Sequence, residues 1–212
     1  MKIAILGTGH IGSALADLWL RHGHSIVLGV RDKGKISAAE SSHTGATASL
    51  VADAAQYCEV VVLAVPWDAA ESVLRTTGDL AGKVLIDTTN PLKKDLSGLE
   101  NLGGRSAAEL VQEAQPQARV VKAFNTVGAP FLGHGQVGGA VAGGFYCSDD
   151  LGAKAITAGL VEQAGLFPTD CGALRNARYL EAMAMLWIDM AFGSRRGQRF
   201  AFHLLNDNQP LN

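Results

Sequence analysis

The chain is short of net charge, of cysteine and of long apolar runs, and each shortage closes off a class of function. Charged residues make up 18 % of the 212 positions and the formal net charge is -2, so there is no electrostatic footprint for nucleic acid or an anionic membrane. Cys58, Cys147 and Cys171 are odd in number and form no C-x-x-C pair. They read as a reduced, cytosolic set, not a disulfide framework or a zinc site. No segment reaches the ~18 apolar residues of a spanning helix. The run Ile3 to Leu6 is too short for a signal peptide. A Ser-Tyr-x-x-x-Lys pattern, a metal-ligand cluster and a Ser/His/Asp constellation are missing as well. The expectation is a soluble cytoplasmic protein with no metal and no declared catalytic acid.

Glycine, with 25 residues, is what the chain has in plenty, and its placement carries the first positive signal. A short apolar strand, Lys2 to Leu6, runs straight into Gly7-Thr8-Gly9-His10-Ile11-Gly12, followed by a helical apolar stripe at Leu15, Leu18 and Trp19. G-x-G-x-x-G between a strand and a helix is where a dinucleotide's pyrophosphate would sit. Gly7 permits the tight turn, and Gly9 leaves room for the pyrophosphate. Gly12 lets the helix lie close to the sheet, and the free amides at its start favour an anion.

Farther along, strands and helices alternate. Strands are predicted at 24–30, 45–49, 60–65, 83–87 and 119–124, with helices at 11–21, 50–57, 66–77 and 106–114 between them. Val60 to Val65 is a continuous β-branched run, as in a strand buried on both faces. Ser106 and Glu109 fit a capping box. Arg31 to Thr44 reads as a polar stretch without an element of its own. Beyond it the pattern predicts a strand at 139–147, a helix at 151–164, a strand at 167–170 and a long helix at 175–192. From Tyr179 onward apolar residues cover nearly all sides of that last helix, which suggests burial on more than one side, most simply in a homodimer. The fold class is therefore α/β: a Rossmann-like, doubly wound, mostly parallel sheet (1–128) with a small C-terminal α/β lobe ending in a long helix (129–212). The second-substrate cleft is expected where that lobe packs on the first part.

The end of the second strand decides which dinucleotide binds. Acidic residues there favour NAD and arginine favours NADP. Here Val30 is followed by Arg31, Asp32, Lys33 and Lys35. Arg31 and the lysines point to NADP, although Asp32 would repel a 2′-phosphate if it faced one. Three later turns lie at carboxyl ends of strands, where open α/β sheets bind ligands. They are Ala64-Val65-Pro66-Trp67, Thr88-Thr89-Asn90-Pro91 and the segment Ala123-Phe124-Asn125-Thr126. Asn125 and Thr126 can hydrogen-bond a carboxamide, and Trp67 can pack beside the cofactor. Each also has a plain structural reading: Pro66 as helix starter, Asn90-Pro91 as a turn, Trp67 as core. His10 can contact phosphate or second substrate, or fill an unconstrained position. Lys122 reads as a strand-end lysine snorkelling to solvent, with a proton donor as the alternative.

Taken together, these blocks resemble one family. GTGHIGSALA (7–16), LGVRD (28–32), VLAVPWDAA (62–70), VLIDTTNPL (84–92), RSAAELVQ (105–112), VVKAFNTVG (120–128), YCSDD (146–150) and GLFPTDCGALRNARYLEAM (165–183) follow the NADPH-dependent reductases of the deazaflavin coenzyme F420 over nearly the whole chain. The chain is also similar to the cytosolic oxidoreductase domain of six-transmembrane metalloreductases. The resemblance implies direct hydride transfer between NADP(H) and a deazaflavin, or FMN or FAD, stacked on the nicotinamide. It places Thr8 to Ile11 along the pyrophosphate, and Val30, Arg31 and Lys35 around the 2′-phosphate. Val65 and Trp67 would flank the nicotinamide ribose, and Phe124 to Val127 would lie where the two rings meet. Such a transfer needs orientation more than a proton donor. Two departures stand out, Val30 where archaeal reductases commonly have serine and Phe124 where they commonly have histidine. A reductase of a small carbonyl or imine, or a non-catalytic NADP sensor, is the alternative.

Overall fold

The computed structural model describes residues 1–194 and 197–205. The chain alternates through β1 (Lys2–Leu6), α1 (His10–Arg21), β2 (Ser25–Val30), α2 (Ile36–Ser42), β3 (Thr47–Leu50), α3 (Val51–Tyr57) and β4 (Val60–Leu63). It continues through α4 (Trp67–Thr76), β5 (Val84–Asp87), α5 (Ala107–Ala114) and β6 (Arg119–Ala123). A two-strand ladder, β7 (Gln136–Val137) and β8 (Ala140–Val141), precedes β9 (Gly143–Ser148), α6 (Leu151–Gln163), β10 (Phe167–Asp170) and α7 (Ala177–Ile188). Eight strands form one sheet in the order β10-β9-β6-β5-β4-β1-β2-β3. Every neighbour in it pairs in parallel except β6 with β9.

Period-two alternation sends successive side chains to opposite faces, and here both faces are covered. Ile3 and Ile5 join Leu15, Trp19, Val62 and Phe124 in one core layer, under α1 and α6. Ala4 and Leu6 join Val61, Leu63, Leu74 and Leu180 in the other, under α3, α4, α5 and α7. That is why β4 tolerates no polar residue, and burying each of its valines contributes on the order of 2 kcal/mol. The capping box at α5 is formed: Ser106 Oγ accepts from the Glu109 amide, and the Glu109 carboxylate accepts from the Ser106 amide at 2.7 Å. Arg178 also reaches that carboxylate, at 3.1 Å.

Some expectations shift. Arg31 to Thr44 holds a 3-10 turn (Lys33–Lys35) and α2, a helix without a buried residue and so without the apolar stripe that would announce it. The run at 60–65 ends as a strand at Leu63, and Ala64 and Val65 form the turn that leads to Pro66 at the start of α4. The stretch at 139–147 divides at Ala142 into β8 and β9, which pair with different partners. The terminal helical run is a 3-10 turn (Leu174–Asn176), then α7, then a π turn (Asp189–Gly193). Within the chain α7 buries a single face, with Leu180, Glu181, Ala184 and Trp187 inside, while Tyr179 and Leu186 are exposed. Among the described residues no helix is long and apolar enough to cross a membrane.

Candidate functional site

β1 lies between β2 and β4, so the chain leaves it in opposite directions and a crevice opens beyond Leu6 and Leu63. Ligands bind open α/β sheets at such a switch point. The two strand ends are held together by the Ala64 amide donating to the Leu6 carbonyl at 2.9 Å. Each glycine of the turn answers a different demand. Gly7 has φ +107°, and a Cβ there would strike the Ala64 carbonyl and Val65. A Cβ on Gly12 would overlap the Gly7 carbonyl, so α1 sits on the turn only because that side chain is missing. At Gly9 a Cβ would meet nothing within 4 Å. Nothing inside the protein requires glycine at that position, which faces the crevice.

Two clefts meet there. The first, about 300 Å³, runs from Gly7, Thr8 and Gly9 past Val65 and Pro66 to Val30, Arg31 and Lys35. Gly9 is the N-cap of α1 with no side chain capping it, and the first turn carries no acidic residue. Its amides are available to an anion. Asp32 does not face this cleft: its carboxylate accepts from the Gly34 amide at 2.9 Å and caps the Lys33–Lys35 turn. Arg31 and Lys35 are the charged side chains that line the far end, beside Gly29 and Val30.

The second cleft, about 460 Å³, shares Gly9, Val65 and Pro66 with the first and continues over His10, Ile11 and Trp67 to Thr88, Thr89 and Asn90. Its outer rim is Leu92, Lys93, Lys94, Leu96 and Glu100. The Thr88–Asn90 wall is built from strand-end bonds. Thr88 Oγ1 donates to the Leu63 carbonyl at 3.0 Å, and the Thr89 amide donates to Asp87 Oδ1 at 2.8 Å. Behind it Asn90 and Asn125 exchange two bonds: Asn90 Nδ2 to the Asn125 carbonyl and Asn125 Nδ2 to Asn90 Oδ1, each 2.9 Å. Phe124, immediately before Asn125, sits at φ +60°, a left-handed conformation that a bulky side chain adopts only when its surroundings enforce it. Its ring is buried edge-on against Trp19 of α1, centroids 5.7 Å apart. Thr89 Oγ1 and Asn125 Oδ1 are buried and have no hydrogen-bond partner.

Residues 2–91 match the family described as NADP oxidoreductase coenzyme F420-dependent. The F420-dependent NADP reductase of Methanothermobacter marburgensis is 31 % identical, over 92 % of this chain and 94 % of that one. This chain belongs to the F420-dependent NADP oxidoreductase family. It is an NADP-dependent oxidoreductase. A solved structure from Arthrobacter sp. FB24, put forward as an F420-dependent NADP-reductase, has a TM-score of 0.88 at 31 % identity, over 97 % of this chain and 100 % of that one. Metalloreductase STEAP3 of Rattus norvegicus is 32 % identical over 87 % of this chain, which spans 36 % of that relative's length. The reductive aminase of Aspergillus terreus shares the fold only, with a TM-score of 0.67 at 18 % identity.

In this family member twelve of the seventeen positions singled out in the sequence line a cleft, Gly7 at the turn among them. Thr8, Gly9, His10, Ile11, Val65, Pro66, Trp67 and Asn90 line one cleft or both, with Val30, Arg31 and Lys35 at the far end of the first. Gly12, Ala123, Phe124, Asn125 and Thr126 are buried and line neither; Asn125 meets the second through Asn90. Pro66 is the N-cap of α4 and is also exposed to both clefts, so its two readings coexist. Lys122 overturns the snorkelling expectation. It is completely buried, with Nζ 2.7 Å from Asp87 Oδ2, 2.8 Å from Glu181 Oε1 and 2.7 Å from the Thr89 carbonyl. Burial opposes its charge, but the two carboxylates outweigh burial and hold its pKa above the ordinary lysine value. Buried away from both clefts, with Nζ donating to the Thr89 carbonyl and ion-paired to two carboxylates, it is no proton donor to a ligand. Sequence reasoning missed the rim from Leu92 to Glu100, an irregular loop with no periodicity, and it missed Glu181, which sits inside an apolar helical run.

Proposed function

We propose that this oxidoreductase passes hydride between NADP(H) and a deazaflavin such as coenzyme F420, or a flavin, seated in the second cleft. Gly9 carries the reading: an open position on an uncapped helix start, at the junction of both clefts, has a use only if a ligand's pyrophosphate crosses it. The residues present fit such a dinucleotide. The amides of α1 and Thr8 would hold the pyrophosphate, and Arg31 and Lys35 the 2′-phosphate. Thr89 Oγ1 is a buried hydroxyl without a partner in the wall where a carboxamide would lie, with Asn90 and Asn125 beside it. NADP supplies the hydride at its nicotinamide. The protein's part is to hold that ring against the Thr88–Asn90 wall and to leave the opposite side open toward Trp67 and the 92–100 rim.

The ionisable side chains lining the second cleft, His10, Asp68, Lys93, Lys94 and Glu100, are all exposed. Hydride transfer between stacked rings depends on proximity and orientation, and such a cleft suits it better than carbonyl reduction, which needs a positioned acid. The family membership and the name of the 31 %-identical archaeal relative support coenzyme F420 as acceptor. We read the protein as a cytoplasmic homodimer, with exposed Tyr179 and Leu186 of α7 and Phe192 beyond it as the contact; light scattering that returns a monomer at micromolar concentration would remove that part. Anaerobic stopped-flow oxidation of bound NADPH against F420, FMN, FAD, ferric chelates, small carbonyls and imines tests the acceptor. Turnover with F420 or a flavin is expected. Turnover confined to carbonyls or imines would overturn the reading.

A further inference from the structure

The cluster around Lys122 lies outside both clefts, and none of the chemistry above uses it. A fully buried ion triad is a poor source of stability, since apolar groups of the same volume usually do as well. What it can supply is a fixed arrangement, and its contacts fall on four different segments. Lys122, from β6, draws in the Thr89 carbonyl at 2.7 Å while Asp87 Oδ1 accepts from the Thr89 amide at 2.8 Å, so the turn after β5 is clasped through one residue from two directions. Glu181, from α7, reaches Lys122 at 2.8 Å and accepts from the amides of Ala107 and Ala108 at the start of α5, at 3.1 and 3.4 Å. The clasped turn is the wall of the second cleft: Thr88, Thr89 and Asn90 line it, and Asn90 carries the exchange with Asn125.

We propose that Lys122, held between Asp87 and Glu181, is a positioning residue for the nicotinamide: it sets the Thr88–Asn90 wall and ties that wall to the seating of α7. The inference rests on the second cleft being where the nicotinamide meets its acceptor. A cluster that served folding alone would change stability and leave the bound cofactor's geometry untouched.

The test is the triple variant Asp87→Asn, Lys122→Met, Glu181→Gln, which removes every buried charge at nearly constant volume. Four quantities are read: melting temperature, NADPH affinity, fluorescence anisotropy of the bound nicotinamide, and the single-turnover rate of hydride transfer at saturating NADPH. Affinity should stay within about threefold, because the phosphate end sits in the first cleft. The transfer rate should fall at least tenfold and the nicotinamide anisotropy should drop. A folded triple variant with both rate and anisotropy unchanged overturns the proposal. If the triple variant does not fold, Glu181→Gln alone, which keeps the Asp87–Lys122 pair, is read the same way, and an unchanged rate and anisotropy again overturn it. If the wild type transfers hydride to neither deazaflavin nor flavin, it is the proposed acceptor that fails, and anisotropy by itself decides the role of Lys122.

Discussion

Replacing Gly9 and Gly12 separately by alanine should separate what the glycine turn does for the fold from what it does for the ligand. At Gly12 the new methyl would overlap the Gly7 carbonyl and press on Ala64 Cβ at 3.3 Å. The main obstacle is backbone, so α1 must lift off the turn. Overpacking of this kind costs roughly 2–3 kcal/mol, which in a domain of this size lowers the melting temperature by roughly 5–10 °C. At Gly9 the methyl would meet nothing within 4 Å and the backbone is extended at φ -74°, so the protein without ligand should melt within about 1–2 °C of wild type. The methyl would occupy the path of the pyrophosphate, displacing it from one or two charge-assisted bonds, and the NADPH dissociation constant should rise roughly 10–100-fold. By linkage, a 100-fold weaker site loses about 2.7 kcal/mol of the stabilisation that saturating NADPH confers. Differential scanning fluorimetry with and without NADPH reads both effects. Wild-type NADPH binding by Gly9→Ala would refute the placement of the pyrophosphate, and a wild-type melting temperature for Gly12→Ala would refute the close approach of α1.

Other outcomes follow from single side chains. Arg31→Ala should weaken NADPH by roughly 1.5–3 kcal/mol through lost charge-assisted bonds and leave NADH nearly unchanged; equal losses for the two nucleotides in a fluorescence titration would remove Arg31 from the 2′-phosphate. Burial, reinforced by Cys171, pushes the Cys147 thiol up to about 12, and burial also raises Cys58 and Cys171. Iodoacetamide at pH 8 should therefore label the native protein far more slowly than the unfolded one, and rapid native alkylation at Cys147 would contradict its packing. Burial also raises the Glu181 carboxyl above its ordinary 4.5, with Lys122 working against it. The folded carboxyl then holds its proton more tightly than the unfolded one, so its contribution is complete below 4.5 and is lost as pH rises through the raised value. Glu181→Gln should accordingly gain melting temperature relative to wild type as pH rises above 4.5, and a gap that moves the other way would mean the carboxyl is not raised.

Much of the fold was legible because its causes are local. The continuous β-branched run at 60–65 says that a strand is covered on both faces, and the structure covers β4 on both. The capping box at Ser106 needs only two residues three apart. Where sequence failed, the controlling partner was remote or there was no apolar signal. α2 buries nothing, so the periodicity that marks a helix was missing. The strand at 139–147 divides because its two ends pair with different partners, β7 and the main sheet.

Lys122 shows the limit most clearly. A lysine three residues before a strand-end asparagine reads as surface, because 35 residues separate it from Asp87 on one side and 59 from Glu181 on the other. No local pattern links them. By itself the sequence determined a dinucleotide turn, a preference for NADP at the end of β2 and a doubly wound sheet, since each depends on residues adjacent in the chain or on a repeating side-chain period. Only the tertiary structure decided that Asp32 turns away to cap its own loop, and that Lys122, Asp87 and Glu181 meet in a buried ion cluster behind the Thr88–Asn90 turn. Those outcomes depend on which atoms meet across the sheet, and that is fixed by packing, not by order along the chain.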